Sequence, residues 1–270
     1  MKYLRIIVRS TIDFFKDGGV MLAASISYFT MMTIMPFSLF LITIFGYLLG
    51  HYPGFYQFLA NRLISFFPSV TSEITKELGK LITFKGIGTF SIVLYGILSY
   101  QLFSSIENAL NVIFKITKGR HFFWSIFLSI IITTLIITII LLSFLATSFI
   151  PLLKHLKMMF PSLRVGMIAG FLIRYVVPFM VILFTVTVVY IFLPKKKVKL
   201  SHAYNGAFFT TAFHEIAKNI FTWYVGSIVK FGTIYGPLTA FVVFLLWVYY
   251  SSCIFLIGAE IVHNQGQYKK

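Results

Sequence analysis

Six stretches of this chain are longer and more apolar than a water-soluble fold requires. They cover residues 20–49, 87–114, 122–150, 165–193, 203–228 and 237–262. A helix of about 20 apolar residues crosses the ~30 Å hydrocarbon core of a bilayer. Each run exceeds that length, so tilt or interfacial overhang is expected. Hydrocarbon offers no partner for a backbone N–H or C=O, which leaves the helix as the economical way through. The expected fold is therefore all-α: a polytopic membrane protein, a six-transmembrane-helix bundle forming a single membrane domain over residues 1–270. Composition agrees, with 59% hydrophobic and 11% charged residues and a mean hydropathy of +0.91, where soluble domains carry about 25% charged residues.

The connections set the orientation. With the N-terminus inside, the inner segments carry thirteen basic residues: Lys2, Arg5, Arg9 and Lys16, then Lys115, Lys118 and Arg120, then Lys195, Lys196, Lys197 and Lys199, then Lys269 and Lys270. The outer segments carry eight, of which Lys154, Lys157 and Arg164 weigh against the assignment. The dense short loops favour both termini in the cytoplasm. That rule and anionic headgroups account for the net charge of +16, which in a soluble protein would point to nucleic acid. Residues 56–67 and 151–164 read as short amphipathic interfacial helices, and 72–81 as a short polar helix. No cleavable signal sequence is expected, so the first run stays as an anchor. A single cysteine, Cys253, excludes an intrachain disulfide or a zinc cluster, and the six histidines have no metal-ligand spacing. No cofactor and no metal site are expected.

Ionisable residues inside the apolar runs carry most of the functional information. An ionised side chain at bilayer depth costs at least about 2.5–3.5 kcal/mol on insertion scales. Glu107, Glu215, Glu260, Arg174 and Lys218 all fall within runs. At about 1.5 Å per residue, Arg174 lies roughly 14 Å from one face and Glu215 roughly 18 Å from the other, nearly the same depth. Glu215 and Lys218 are three residues apart on one helix face, with His214 beside them. These four are the candidates for binding a substrate or anion; a buried ion pair that only fixes packing is the alternative. Glu107, with Asn108 and Asn111, and Glu260 lie near the cytoplasmic ends of their runs, as a vestibule lining or as groups reaching for water. Pro36 and Pro178 fall inside runs and predict kinks or broken helices. Gly46 with Gly50 and Gly166 with Gly170 have the spacing of close helix contacts.

In their order along the chain, several segments are similar to the YihY/BrkB family of bacterial inner-membrane proteins, long labelled ribonuclease BN-like. They are AASISYFTMMTIMPF over residues 23–37, IENALNVIF over 106–114, Arg174 with Pro178, GAFFTTAFHEIAK over 206–218, and IYGPLTAFVVFLLWVYYSSCIFLIGAEI over 234–261. Tyr235, Gly236, Trp247, Tyr249, Gly258, Ala259 and Glu260 fall where the family has them, while Pro237-Leu238-Thr239 departs from its pattern. The resemblance implies a six-helix inner-membrane fold and no particular activity. The five ionisable residues named for their cost fall on positions of its pattern.

Three functions are weighed. The first is a transporter or flippase-like protein for an anionic lipid or another amphipathic envelope component, because a cationic patch at depth lowers the cost of moving a phosphate headgroup through hydrocarbon. The second is a structural scaffold of the envelope whose charges serve packing. The third is ribonuclease, from the legacy label. That chemistry needs a positioned acid/base pair or carboxylate-held metals in reach of an aqueous polyanion, and the sequence has no such motif. The expected protein is not an enzyme and binds no specific nucleic acid. Membrane lipids with anionic headgroups are the expected partners, and a second copy of the chain is a further candidate.

Overall fold

The computed structural model describes residues 2–49, 85–116, 176–228 and 238–267. Among them the chain forms six α-helices and no strand: α1 (Lys2–Lys16), α2 (Gly19–Leu49), α3 (Lys85–Ile113), α4 (Val177–Phe192), α5 (Leu200–Ile228) and α6 (Leu238–Gln267). Five of the expected runs are helical where described. The run over 122–150, residues 165–175 of the fourth, the amphipathic segments over 56–67 and 151–164 and the polar segment over 72–81 lie outside the described residues, as do Gly50, Gly166 and Gly170. Helix α6 contains a stretch, Phe241–Gln267, that is long and apolar enough to cross a membrane; shorter apolar helices cover Gly19–Thr33 and Val177–Phe192. Pro36 lies within the unbroken α2. Pro178 falls in the first turn of α4 as described.

The chain divides into two compact units. One comprises residues 1–20, 107–218 and 253–270. Its core holds Ile6, Phe14, Ala109, Leu110, Ile113, Tyr190, Leu193, Ala203, Ala207, Leu256 and Val262. Helix α1 contributes one face to it. Ile6, Ser10 and Phe14, four residues apart, are buried, while Leu4, Val8, Ile12 and Phe15 form an exposed apolar stripe. Gly18, at φ 71°, turns the chain from α1 into α2.

Helices α5 and α6 meet at a pair of glycines in this unit. A Cβ on Gly206 would strike Val262 and stand 2.7 Å from the Gly258 carbonyl oxygen; a Cβ on Gly258 would strike Thr210 and the Tyr190 hydroxyl. The missing side chains let the backbones touch. Tyr190, fully buried, locks the crossing from α4: its hydroxyl lies 2.9 Å from Thr210 Oγ1 and donates to the Phe255 carbonyl at 2.5 Å. Its ring stacks on Phe255 with centroids 5.1 Å apart.

The other unit comprises residues 21–106 and 219–252. Here α2 and α3 are joined by polar contacts between apolar helices: Ser25 Oγ to Ser105 Oγ at 2.9 Å, and Thr33 Oγ1 donating to the Leu98 carbonyl at 3.2 Å. Ala23 of α2 is fully buried. Phe221 of α5 packs on Trp247 and Tyr250 of α6 at 5.0 and 5.8 Å. Thr30, Thr33 and Ser252 also donate to a carbonyl of their own preceding turn, which satisfies each hydroxyl without an external partner.

Candidate functional site

The polar residues of the first unit gather where α1, the end of α3 and the end of α6 meet. Helix α3 stops in a two-bond cap: the Lys115 N–H donates to the Val112 carbonyl at 3.1 Å and the Ile116 N–H to the Asn111 carbonyl at 2.9 Å. Such a cap places its turning residue in the left-handed region, usually as glycine. Here it is Lys115, at φ 56°. The cost of that backbone is about 1–2 kcal/mol for a side-chain-bearing residue. The Lys115 ammonium forms an ion pair with Asp17, in the turn after α1.

Asp17 in turn contacts the Glu260 carboxyl. Glu260 is 1% exposed, and its Oε1 has no hydrogen-bond partner among the described residues. One helical turn on, Asn264 donates through Nδ2 to Ser10 Oγ and to Asp13 Oδ2, both at 3.0 Å, and Asp13 also meets Arg9 at 3.6 Å. Asn205 of α5 donates to Gln265 at 3.2 Å. The last turns of α6 are thereby tied to α1 and α5 by side-chain amides rather than by apolar packing alone.

Glu107, near the end of α3, is buried and pairs with Lys195 at 3.4 Å. Asn111, one turn later, has Oδ1 buried without a partner among the described residues. Asn108 is exposed and does not join this interior. His263 is buried, with Phe114 edge-on at 5.7 Å and Nε2 within 2.7 Å of Gln267 Nε2. Its Nδ1 has no partner among the described residues.

The other set of sequence candidates divides differently. Glu215 and Lys218 form an ion pair on α5, three residues apart, with side chains 29% and 47% exposed. His214, half-buried, stands beside them. Arg174 lies outside the described residues. Among the described residues no three His, Cys, Asp or Glu side chains converge as metal ligands would.

Sequence reasoning picked out Glu107 and Glu260 but missed Ser10, Asp13, Asp17, Lys115, Lys195, His263 and Asn264. One signal was available for α1: apolar residues at 4, 8, 12 and 15 and at 6 and 14 recur with helical period on two faces. The basic loop residues looked sufficiently explained by orientation.

A family model described as virulence factor BrkB matches residues 12–269. The chain belongs to this family. It is similar to UPF0761 membrane proteins of several bacteria. The one from Aliivibrio fischeri is 29% identical over 254 residues, 92% of this chain and 78% of the relative. The one from Aeromonas salmonicida is 29% identical over 265 residues, covering 94% and 86%. The one from Aggregatibacter aphrophilus is 26% identical over 247 residues, covering 88% and 84%. No solved structure matches the chain. With relatives that are membrane proteins along nearly its whole length, this BrkB-family chain is an integral membrane protein.

Proposed function

We propose that this protein moves an anionic lipid or a similar amphipathic envelope component across the bacterial cytoplasmic membrane, in which it sits as a six-span bundle with both termini inside. It does so as a transporter or flippase-like protein, without covalent chemistry. The observation that carries the reading is unused hydrogen-bonding capacity at a buried ionic centre. Glu260 Oε1, Asn111 Oδ1 and His263 Nδ1 are buried without partners among the described residues. A network that served packing alone would satisfy such groups, because each open one costs about 1–3 kcal/mol. Polar groups held open in an apolar protein suit a path that water or a polar headgroup enters.

The test is reconstitution. Full-length protein in vesicles of phosphatidylethanolamine and phosphatidylglycerol, doped with headgroup-labelled fluorescent phosphatidylglycerol, is assayed by quenching of the outer leaflet. Wild type is expected to raise the rate of lipid exchange about tenfold over protein-free vesicles, and Glu260→Gln to lose most of that gain while keeping its melting temperature within a few degrees. No exchange by wild type under any ion gradient would leave the scaffold reading in its place.

A further inference from the structure

A cavity of about 500 Å³ opens beside the start of α5, lined by Phe114, Lys196, Lys197, Val198, Lys199, His202, Val262, His263, Gly266 and Gln267. No carboxylate is among these residues. Lys197 and Lys199 are exposed, as expected of a basic loop, and by themselves they mark no site. The deeper wall differs. His263 and His202 are 6% and 8% exposed, and His263 keeps a buried Nδ1 without a partner among the described residues. Helix α5 begins at this wall with no acidic residue in its first turn, so its positive end is not neutralised from within. The adjacent Lys195 is paired with Glu107, which leaves Lys196, Lys197 and Lys199 as the cations that line the cavity.

We propose that this cavity is a binding site for a phosphate-bearing anion: a helix N-terminus and lysine ammonium groups supply charge, and buried imidazoles and the Gln267 amide supply direction. Both the headgroup of an anionic phospholipid and free inorganic phosphate present the same oxygens. The site stands whether or not the protein moves lipid, because its occupancy is read without any flux.

The experiment compares two charge-matched doubles of the full chain. Lys197→Gln with Lys199→Gln removes two cavity cations; Arg5→Gln with Lys16→Gln removes two exposed cations of α1. Each protein is titrated with inorganic phosphate by calorimetry in a neutral detergent. Each is also analysed by native mass spectrometry from micelles holding equal phosphatidylglycerol and phosphatidylcholine. A third variant, His263→Gln, checked for folding by its melting temperature, probes the buried wall. The expected result is selective retention of phosphatidylglycerol, binding of inorganic phosphate, or both, weakened about tenfold in the cavity double and little changed in the α1 double. Binding of phosphate assigns the site to a soluble anion; retention of phosphatidylglycerol alone assigns it to a headgroup. If neither probe binds, or if the two doubles lose the same amount, the lysines only set orientation and the proposal falls.

Discussion

At the scale of single residues, Lys115 concentrates the local tension of this protein. Its backbone takes a conformation that glycine would adopt at no cost, and what it returns is a cation beside Asp17. Lys115→Met keeps the backbone cost and removes the cation from the neighbourhood of the Asp17 and Glu260 carboxyls. It is expected to destabilise by about 1–2 kcal/mol, between the values for exposed and for buried pairs, because the ammonium is half exposed and the carboxylate is not. Lys115→Arg should stay near wild type; the comparison is of melting temperatures in one detergent. The sequence made Glu107 and Glu260 conspicuous, since a carboxylate in an apolar helix is costly wherever it points. It did not reveal their partners. Asp17 sits in a polar turn and Lys115 and Lys195 in basic loops, settings in which a charge is ordinarily solvated. Only the tertiary fold brings Lys195 to Glu107 and Asp17 to Glu260.

At the scale of elements, α6 ends later than its composition suggests. The expected run stops at 262, yet the helix continues to Gln267. The polar tail His263, Asn264 and Gln265 lies beyond that run, yet all three residues are buried, with Asn264 held by Ser10 and Asp13 of α1 and Gln265 by Asn205 of α5. Tertiary hydrogen bonds override hydropathy there. Helix α1 has the opposite character: Leu4, Val8, Ile12 and Phe15 remain exposed, flanked by Arg5, Arg9 and Lys16. On a membrane protein such a stripe belongs in the headgroup plane. A spin label at Val8 is expected to collide with oxygen more than with a water-soluble relaxant, and a label at Arg5 to show the reverse; equal access at both would place α1 in water. The glycine crossing of α5 and α6 gives a third expectation. Gly206→Ala puts a methyl group 2.7 Å from a backbone oxygen, which no rotamer relieves, so it should cost about 1–3 kcal/mol. Ala207→Gly, one residue on, lacks that collision.

At the scale of the whole molecule, the helical class was legible because six apolar runs exceed the crossing length, whereas the pairing of helices was not. The small-residue spacings visible in sequence were Gly46 with Gly50 and Gly166 with Gly170. The contact found among the described residues joins Gly206 to Gly258, fifty-two positions apart, and no one-helix pattern signals it. The proposed topology makes a direct prediction: with Cys253 replaced by serine, a cysteine at Lys197 should react with an impermeant maleimide only after cells are opened, and reaction in intact cells would invert the orientation. The glycine crossing bears on how such a molecule could move. If α6 turned about its own axis or slipped by one residue, Ile257 or Ala259 would be driven against the backbone of α5 where only hydrogen now fits. Either displacement would meet a backbone collision, so the crossing holds α5 and α6 in one register, with Tyr190 hydrogen-bonded at the same point.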